Sequence, residues 1–171
     1  MPETPQQYTQ RILGNLNGQD PIKVQQATAR KLEKLTRGLS KKQARQRPEP
    51  GKWSICEILA HLADAEIVAS WRLRLILGSN GTPIKSFNQD DWATTLDYAH
   101  SDPKWSLQIF RTLRENNLKM LKSLSKKLWE NYGMHDERGK ETVAHVVRMF
   151  AGHDLNHLQQ VERITKQGRR K

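Results

Sequence analysis

The stretch Trp53-Ser54-Ile55-Cys56-Glu57-Ile58-Leu59-Ala60-His61-Leu62-Ala63-Asp64-Ala65-Glu66 decides the fold. Ser54 followed three residues later by Glu57 is a capping box, in which each residue satisfies a backbone N–H that a helix start leaves free. Ile55, Ile58, Leu59 and Leu62 then fall at i, i+3, i+4 and i+7, one face of a helix. The spacing predicts a helix from Ser54 to Gly78.

The same period recurs on both sides. A short helix is predicted from about residue 5 to 16. Asp20-Pro21, an N-cap followed by Pro at the first helical position, opens a helix carrying Val24, Ala27, Leu32, Leu35 and Leu39. A third long helix is predicted from Pro103 to about Trp129, with Ile109, Phe110, Leu113, Met120, Leu121, Leu124 and Leu128 in its stripe. The last runs from near Lys140 to Gly168 on Val143, Val146, Val147, Phe150, Val161 and Ile164. No segment shows strand alternation. The fold expected is all-α, a four-helix bundle with a long loop, Gly78 to Asp102, between its second and third main helices. That loop holds Phe87-Asn88-Gln89-Asp90-Asp91-Trp92, with room for a short helix, and loops of this length often serve function. One domain is expected over 1–171, with its core at about 8–165 and a basic tail at 166–171.

Composition agrees. Hydrophobic residues at 36% and charged residues at 27% suit helices that bury one stripe and solvate the rest. No apolar run approaches a membrane span. Met1-Pro2-Glu3-Thr4-Pro5 lacks the basic start and apolar stretch of a secretory signal. Cys56 is the only cysteine, so no internal disulfide is possible. These features point to the cytoplasm. The net charge of +11 raises nucleic acid as a partner. The basic residues are spread along the chain, however, so solvated helix faces are the simpler reading. Small anionic substrates, such as acidic thiols, are a third.

Six histidines stand at 61, 100, 135, 145, 153 and 157. His153 and His157, four apart on a helix, share a face and can converge on one ion. Chance supplies roughly 0.2 such pairs in this composition, so the spacing alone is a moderate signal. On a helical wheel His157 falls inside the apolar stripe of the last helix, His153 on its shoulder with Gln160 beyond, and His61 on the corresponding shoulder of the second main helix. Two readings stay open. The three histidines hold a metal at the edge of a helix seam, or His157 is a hydrogen-bonded core residue and His61 a surface one. His100 and His135 lie among loop residues and are expected to be exposed; His145 falls off its stripe. Glu66, Asn117 and Asp154 fall on apolar stripes, which predicts a buried polar network or a support around a metal. Glu57 and Gln160 are candidates to position a nucleophile, although Glu57 has its capping role. Cys56 reads as a small packing residue.

Some chemistries are excluded by motif. The chain lacks His-Glu-x-x-His, the Glu-x-x-His pairs of di-iron bundles, a Gly-rich phosphate loop and a Gly-x-Ser-x-Gly elbow.

Trp53 to Glu66, followed much later by His153-Asp154-Leu155-Asn156-His157-Leu158-Gln159-Gln160, resembles the DinB/YfiT-like superfamily. Pro50-Gly51-Lys52-Trp53 and Asn88-Gln89-Asp90-Asp91-Trp92 look like one branch of it. The likeness spans about Tyr8 to Ile164. It implies a four-helix bundle with three histidines, His61, His153 and His157, holding one divalent metal open to solvent, zinc or nickel foremost. It implies hydrolases or thiol-dependent transferases and isomerases, including users of mycothiol or bacillithiol, acting on small molecules and often forming homodimers. The family name reflects DNA-damage induction of one member and does not imply nucleic-acid binding. The expected function is therefore a metal-dependent enzyme that activates water or a thiol, with Trp92 and its loop shaping the pocket. The alternatives are a non-catalytic metal-binding module of a stress response and a basic nucleic-acid binder.

Overall fold

A computed structural model describes residues 3–168. Arg169-Arg170-Lys171, the end of the expected basic tail, and Met1-Pro2 lie outside the described residues.

The chain forms α1 (Pro5–Gly14), α2 (Pro21–Thr36), α3 (Lys41–Arg45), α4 (Ile55–Gly78), β1 (Thr82–Ile84), α5 (Gln89–Thr95), α6 (Pro103–Ser123), β2 (Tyr132–His135), β3 (Gly139–Thr142) and α7 (Val143–Gly168). Four long helices, α2, α4, α6 and α7, make the bundle expected from the sequence, and α1 packs on α7. The α4 start follows the capping box. The Ser54 backbone N–H donates to Glu57 at 2.8 Å, and the Glu57 N–H donates to Ser54 Oγ at 3.3 Å. Leu32, Ile58, Leu59, Phe110 and Val161 centre one buried cluster. Ile76, Ile84, Leu121, Val143 and Val147 centre a second at the other end.

Three segments depart from expectation. The helix predicted to reach Trp129 stops at Ser123, where Leu124 turns extended, and Lys126–Glu130 forms a separate 3-10 turn. The apolar period of Leu121, Leu124 and Leu128 continues through this break, so periodicity overshoots it. The last helix begins at Val143, because residues 139–142 are a strand. The third departure is a small sheet in the order β1-β2-β3, with β1 and β2 parallel and β2 and β3 antiparallel. Its strands have only three or four residues, too few to display an alternating pattern. Gly133 lets the first two strands close up, since a Cβ there would lie 2.3 Å from Ile84 Cδ1.

The sheet corrects the reading of His135. This residue is 3% exposed, not a solvated loop residue, and its Nδ1 accepts the Glu137 N–H at 3.2 Å. His100 is exposed as expected and pairs with Asp97. Cys56 is fully buried, and its thiol donates to the Ser101 carbonyl at 3.0 Å. Glu66, Asn117 and Asp154 do form a buried network, organised by an arginine that the sequence reading passed over. Arg114 Nη2 donates to Glu66 at 2.7 Å and to Asp154 at 3.0 Å, and its Nη1 also binds Asp154. Asn117 donates to Glu66 at 2.7 Å and Thr28 to Asp154 at 2.9 Å. Burial pushes the Arg114 guanidinium down, but the two carboxylates outweigh it and raise it above its ordinary value. The signal was available: Arg114 stands four residues after Phe110, three before Asn117 and seven before Leu121, on one helical face.

Candidate metal centre

His61 comes from the second turn of α4, and His153 and His157 from adjacent turns of α7. The two helices are packed neighbours, so residues 92 positions apart in the chain meet. His153 Nε2 lies 2.9 Å from His61 Nε2 and 3.1 Å from His157 Nε2. One ligating atom from each ring lies within 4.8 Å of the others, a cluster able to coordinate a metal ion.

Proton counting tests whether a cation fits there. His157 Nδ1 meets Gln160 Oε1 at 2.9 Å, which requires the proton on Nδ1 and leaves a lone pair on Nε2. A neutral His153 can carry a proton on Nε2 or on Nδ1, not both. A proton on Nε2 cannot serve both neighbours well. A proton on Nδ1 would have no acceptor, since that atom is buried without a partner. Either way hydrogen bonding leaves the trio short. A cation at its centre satisfies all three lone pairs, and ligand nitrogens about 2.0–2.1 Å from a tetrahedral zinc would stand roughly 3.3 Å apart. The observed spacings are close to that.

Electrostatics point the same way. Burial pushes His61 and His153 well below the usual imidazole value, and the neighbouring His157 adds to the effect. Burial pushes His157 down to about 4, against the opposing effect of the hydrogen bond that its Nδ1–H donates to Gln160. Neutral imidazoles are the form that ligates. Trp53 stacks on His157 with centroids 6.5 Å apart and 11° between planes, and lies 4.9 Å from the His61 ring. Phe150 packs edge-on to His153 at 6.2 Å.

Two cavities meet at this cluster. One, about 390 Å³, runs past Trp53, His157, Gln160 and Arg163; the other, about 400 Å³, runs past His61, Arg72, Phe87 and Phe150. Tyr8, Gln89 and His153 line both. The sequence reading missed Trp53, Tyr8 and Arg72 as walls. Trp92, expected to shape the pocket, packs instead against Phe87 at 4.6 Å and lines neither cavity; its neighbours Phe87, Gln89 and Asp90 reach the space. Glu57 also lines neither. Its carboxylate is bound by Ser54 and Arg47, and although burial pushes it up, those hydrogen bonds hold it below the usual carboxylate range. Gln160 lines the first cavity while orienting His157.

The sequence profile of the DinB superfamily matches residues 26–161, most of the chain. The protein belongs to the DinB superfamily. A relative from Oceanobacillus iheyensis, named "Putative metal-dependent hydrolase", is 27% identical over 116 residues, covering 68% of this chain and 67% of the relative. One of the same name from Halalkalibacterium halodurans is 20% identical over 132 residues, 77% of each chain. The solved structure of YfiT from Bacillus subtilis, described as a probable metal-dependent hydrolase with an unusual four-helix bundle topology, superposes with a TM-score of 0.80 at 19% identity. It covers 86% of this chain and 85% of its own. Among the described residues no helix is long and apolar enough to cross a membrane.

Proposed function

We propose that this protein is a metal-dependent enzyme in which His61, His153 and His157 hold one divalent ion, zinc or nickel, for hydrolysis or thiol transfer on a small molecule. The observation that carries the reading is the convergence of a ligating nitrogen from each of three histidines at the junction of two cavities. Imidazole suits both metals, and three protein ligands leave a coordination position open. Such an ion, when bound, lowers the pKa of water or a thiol so that a nucleophile exists at neutral pH.

The chain's own residues supply the rest. Gln160 fixes the His157 ring through Nδ1, so that Nε2 faces the centre. Trp53 and Phe150 cover the imidazole faces and exclude water from them. Tyr8 lines both cavities, and burial raises its phenol, which stays protonated and can donate a hydrogen bond to substrate. Gln160→Leu removes the acceptor from His157 and is expected to weaken metal binding about 10- to 100-fold, read by competition with a chromophoric chelator.

The deciding test is elemental analysis of protein purified without an affinity tag, beside a His153→Ala/His157→Ala double variant. About one ion per chain, absent from the variant, is the expected result. Metal content unchanged on removing His61 or His157 would sink the proposal. Sedimentation equilibrium of the same preparation checks the homodimer that family resemblance implies. Release of product from ester or amide substrates, compared with consumption of added thiols, separates the two chemistries.

A further inference from the structure

Two arginines are buried on the inner faces of the bundle, and they are treated oppositely. Arg114, 2% exposed, is held by two carboxylates. Arg72, 6% exposed, makes no ion pair among the described residues. Its one hydrogen bond runs from Nη2 to the Lys85 carbonyl at 2.9 Å, and its guanidinium lies 5.8 Å from the centre of the Phe87 ring. Glu141 and Asp136 act on it only at longer range, and buried arginines are ordinarily paired in contact, since a buried charge is otherwise costly. The guanidinium keeps most of its fork of donors unused.

What this cation faces is the 400 Å³ cavity that also reaches His61 and His153. Arg72 follows His61 by eleven residues on α4, which brings it round to within about 20° on the same face, three turns and roughly 16 Å along the axis. Helical side chains lean toward the N-terminus, so Arg72 leans toward His61. The other charged groups on this cavity are already engaged or exposed. Arg138 is bound to Glu141, Glu3 to Arg11, and Glu137 is solvent-exposed.

We propose that Arg72 anchors the oxyanion group, a carboxylate or a phosphate, of an elongated small-molecule substrate whose other end reaches the histidine cluster. The inference rests on the reading of that cluster as the reactive centre. The planar fork of arginine matches both oxyanions bidentately, which a lysine at this position would not. The aromatic face of Phe87 and the apolar side chains of Met149 and Phe150 leave the middle of the cavity suited to an uncharged linker.

The test uses glutarate, its uncharged diamide and inorganic phosphate as probes, titrated at low salt into the full chain. Binding is measured with the protein zinc-loaded and again after chelator treatment. Glutarate or phosphate should bind and the diamide should not, whichever state the histidines are in; the stronger of the two names the anion source. Arg72→Gln should weaken that binding about tenfold to a hundredfold, and Arg72→Lys should retain part of it. Equal binding to Arg72→Gln, or equal binding of diamide and diacid, would overturn the proposal. The Arg72 Nε–H resonance of the unmodified protein gives a readout that needs no variant. It should shift on adding glutarate or phosphate, and a resonance that stays fixed under both refutes the anchor. Binding to the chelator-treated chain keeps this outcome separate from that of the elemental analysis, which concerns only the ion.

Discussion

Replacing Arg114 by Met should destabilise the protein by about 3–5 kcal/mol, seen in urea unfolding as a lowered midpoint with an unchanged slope. The size follows from what is left behind. Glu66 is 2% exposed and Asp154 1%, and each would lose its cationic partner while staying in the core. Asn117 and Thr28 would still donate one hydrogen bond to each, which offsets little of an uncompensated charge. Arg114→Lys should rescue only a fraction, because a single ammonium cannot fork across two carboxylates on different helices. Converting Arg114, Glu66 and Asp154 together to apolar residues of similar volume should recover most of the loss, since a buried ionic triad and a packed core are often of similar stability. A loss below about 1 kcal/mol for Arg114→Met would show that the carboxylates do not depend on it. The network ties α6 to α4 and α7, the two helices that carry the histidines, so its failure should also disturb their convergence.

The second large effect is expected at Gly152. In the interior of α7 an alanine would ordinarily stabilise by about 1 kcal/mol relative to glycine. Here a Cβ would lie 2.1 Å from the Ile12 carbonyl oxygen, a backbone atom that cannot swing away. The clash wins, and Gly152→Ala should cost about 1–3 kcal/mol through displacement of α1. The Asn15 side chain, which donates to the Gly152 carbonyl at 3.2 Å, would detach with it. Hydrogen exchange should localise the effect, with the amides of α1 losing protection before those of α4. Gly14→Ala is the control. Nothing lies within 4 Å of the added methyl there, and its stability should stay level or rise. Equal behaviour of the two variants would remove close packing as the reason for glycine at 152.

How far these features were legible in the sequence depends on the range of the interaction behind them. Ser54, Glu57 and the Ile55–Leu62 stripe announced α4 because capping and periodicity act within one or two turns. The same locality placed His153 and His157 on one face and His61 on the matching shoulder. The burial of His135 was not legible, because parallel pairing with β1 across a long excursion covers a residue whose immediate neighbours are those of a loop. Trp53 and Tyr8 were missed as walls for a similar reason, since each reaches the cavities from a different element. Arg72 and Arg114 were legible in principle. Both sit on apolar faces, and the habit of assigning arginine to the surface hid them. Glu57 shows the converse: its helical position beside His61 suggested chemistry, and local bonding to Ser54 and Arg47 had already taken its carboxylate.

The parallel pairing of β1 and β2 also sets where the chain tolerates changes in length. Thr82 lies opposite Gly133 and Ile84 opposite His135, so the sheet acts as a clasp at the two ends of everything between. Residues added at the exposed turn around Lys126 and Lys127 would only lengthen a closed loop, for which even a doubling costs about 0.6 kcal/mol. One residue added between Gly133 and His135 would shift the frame, because strand side chains alternate with a period of two. Gly133 and His135 would no longer share a face: either His135 turns outward with Met134 inward, or Gly133 leaves a place that has no room for a side chain. Insertions should therefore be abundant on one side of the clasp and excluded from the few residues that form it.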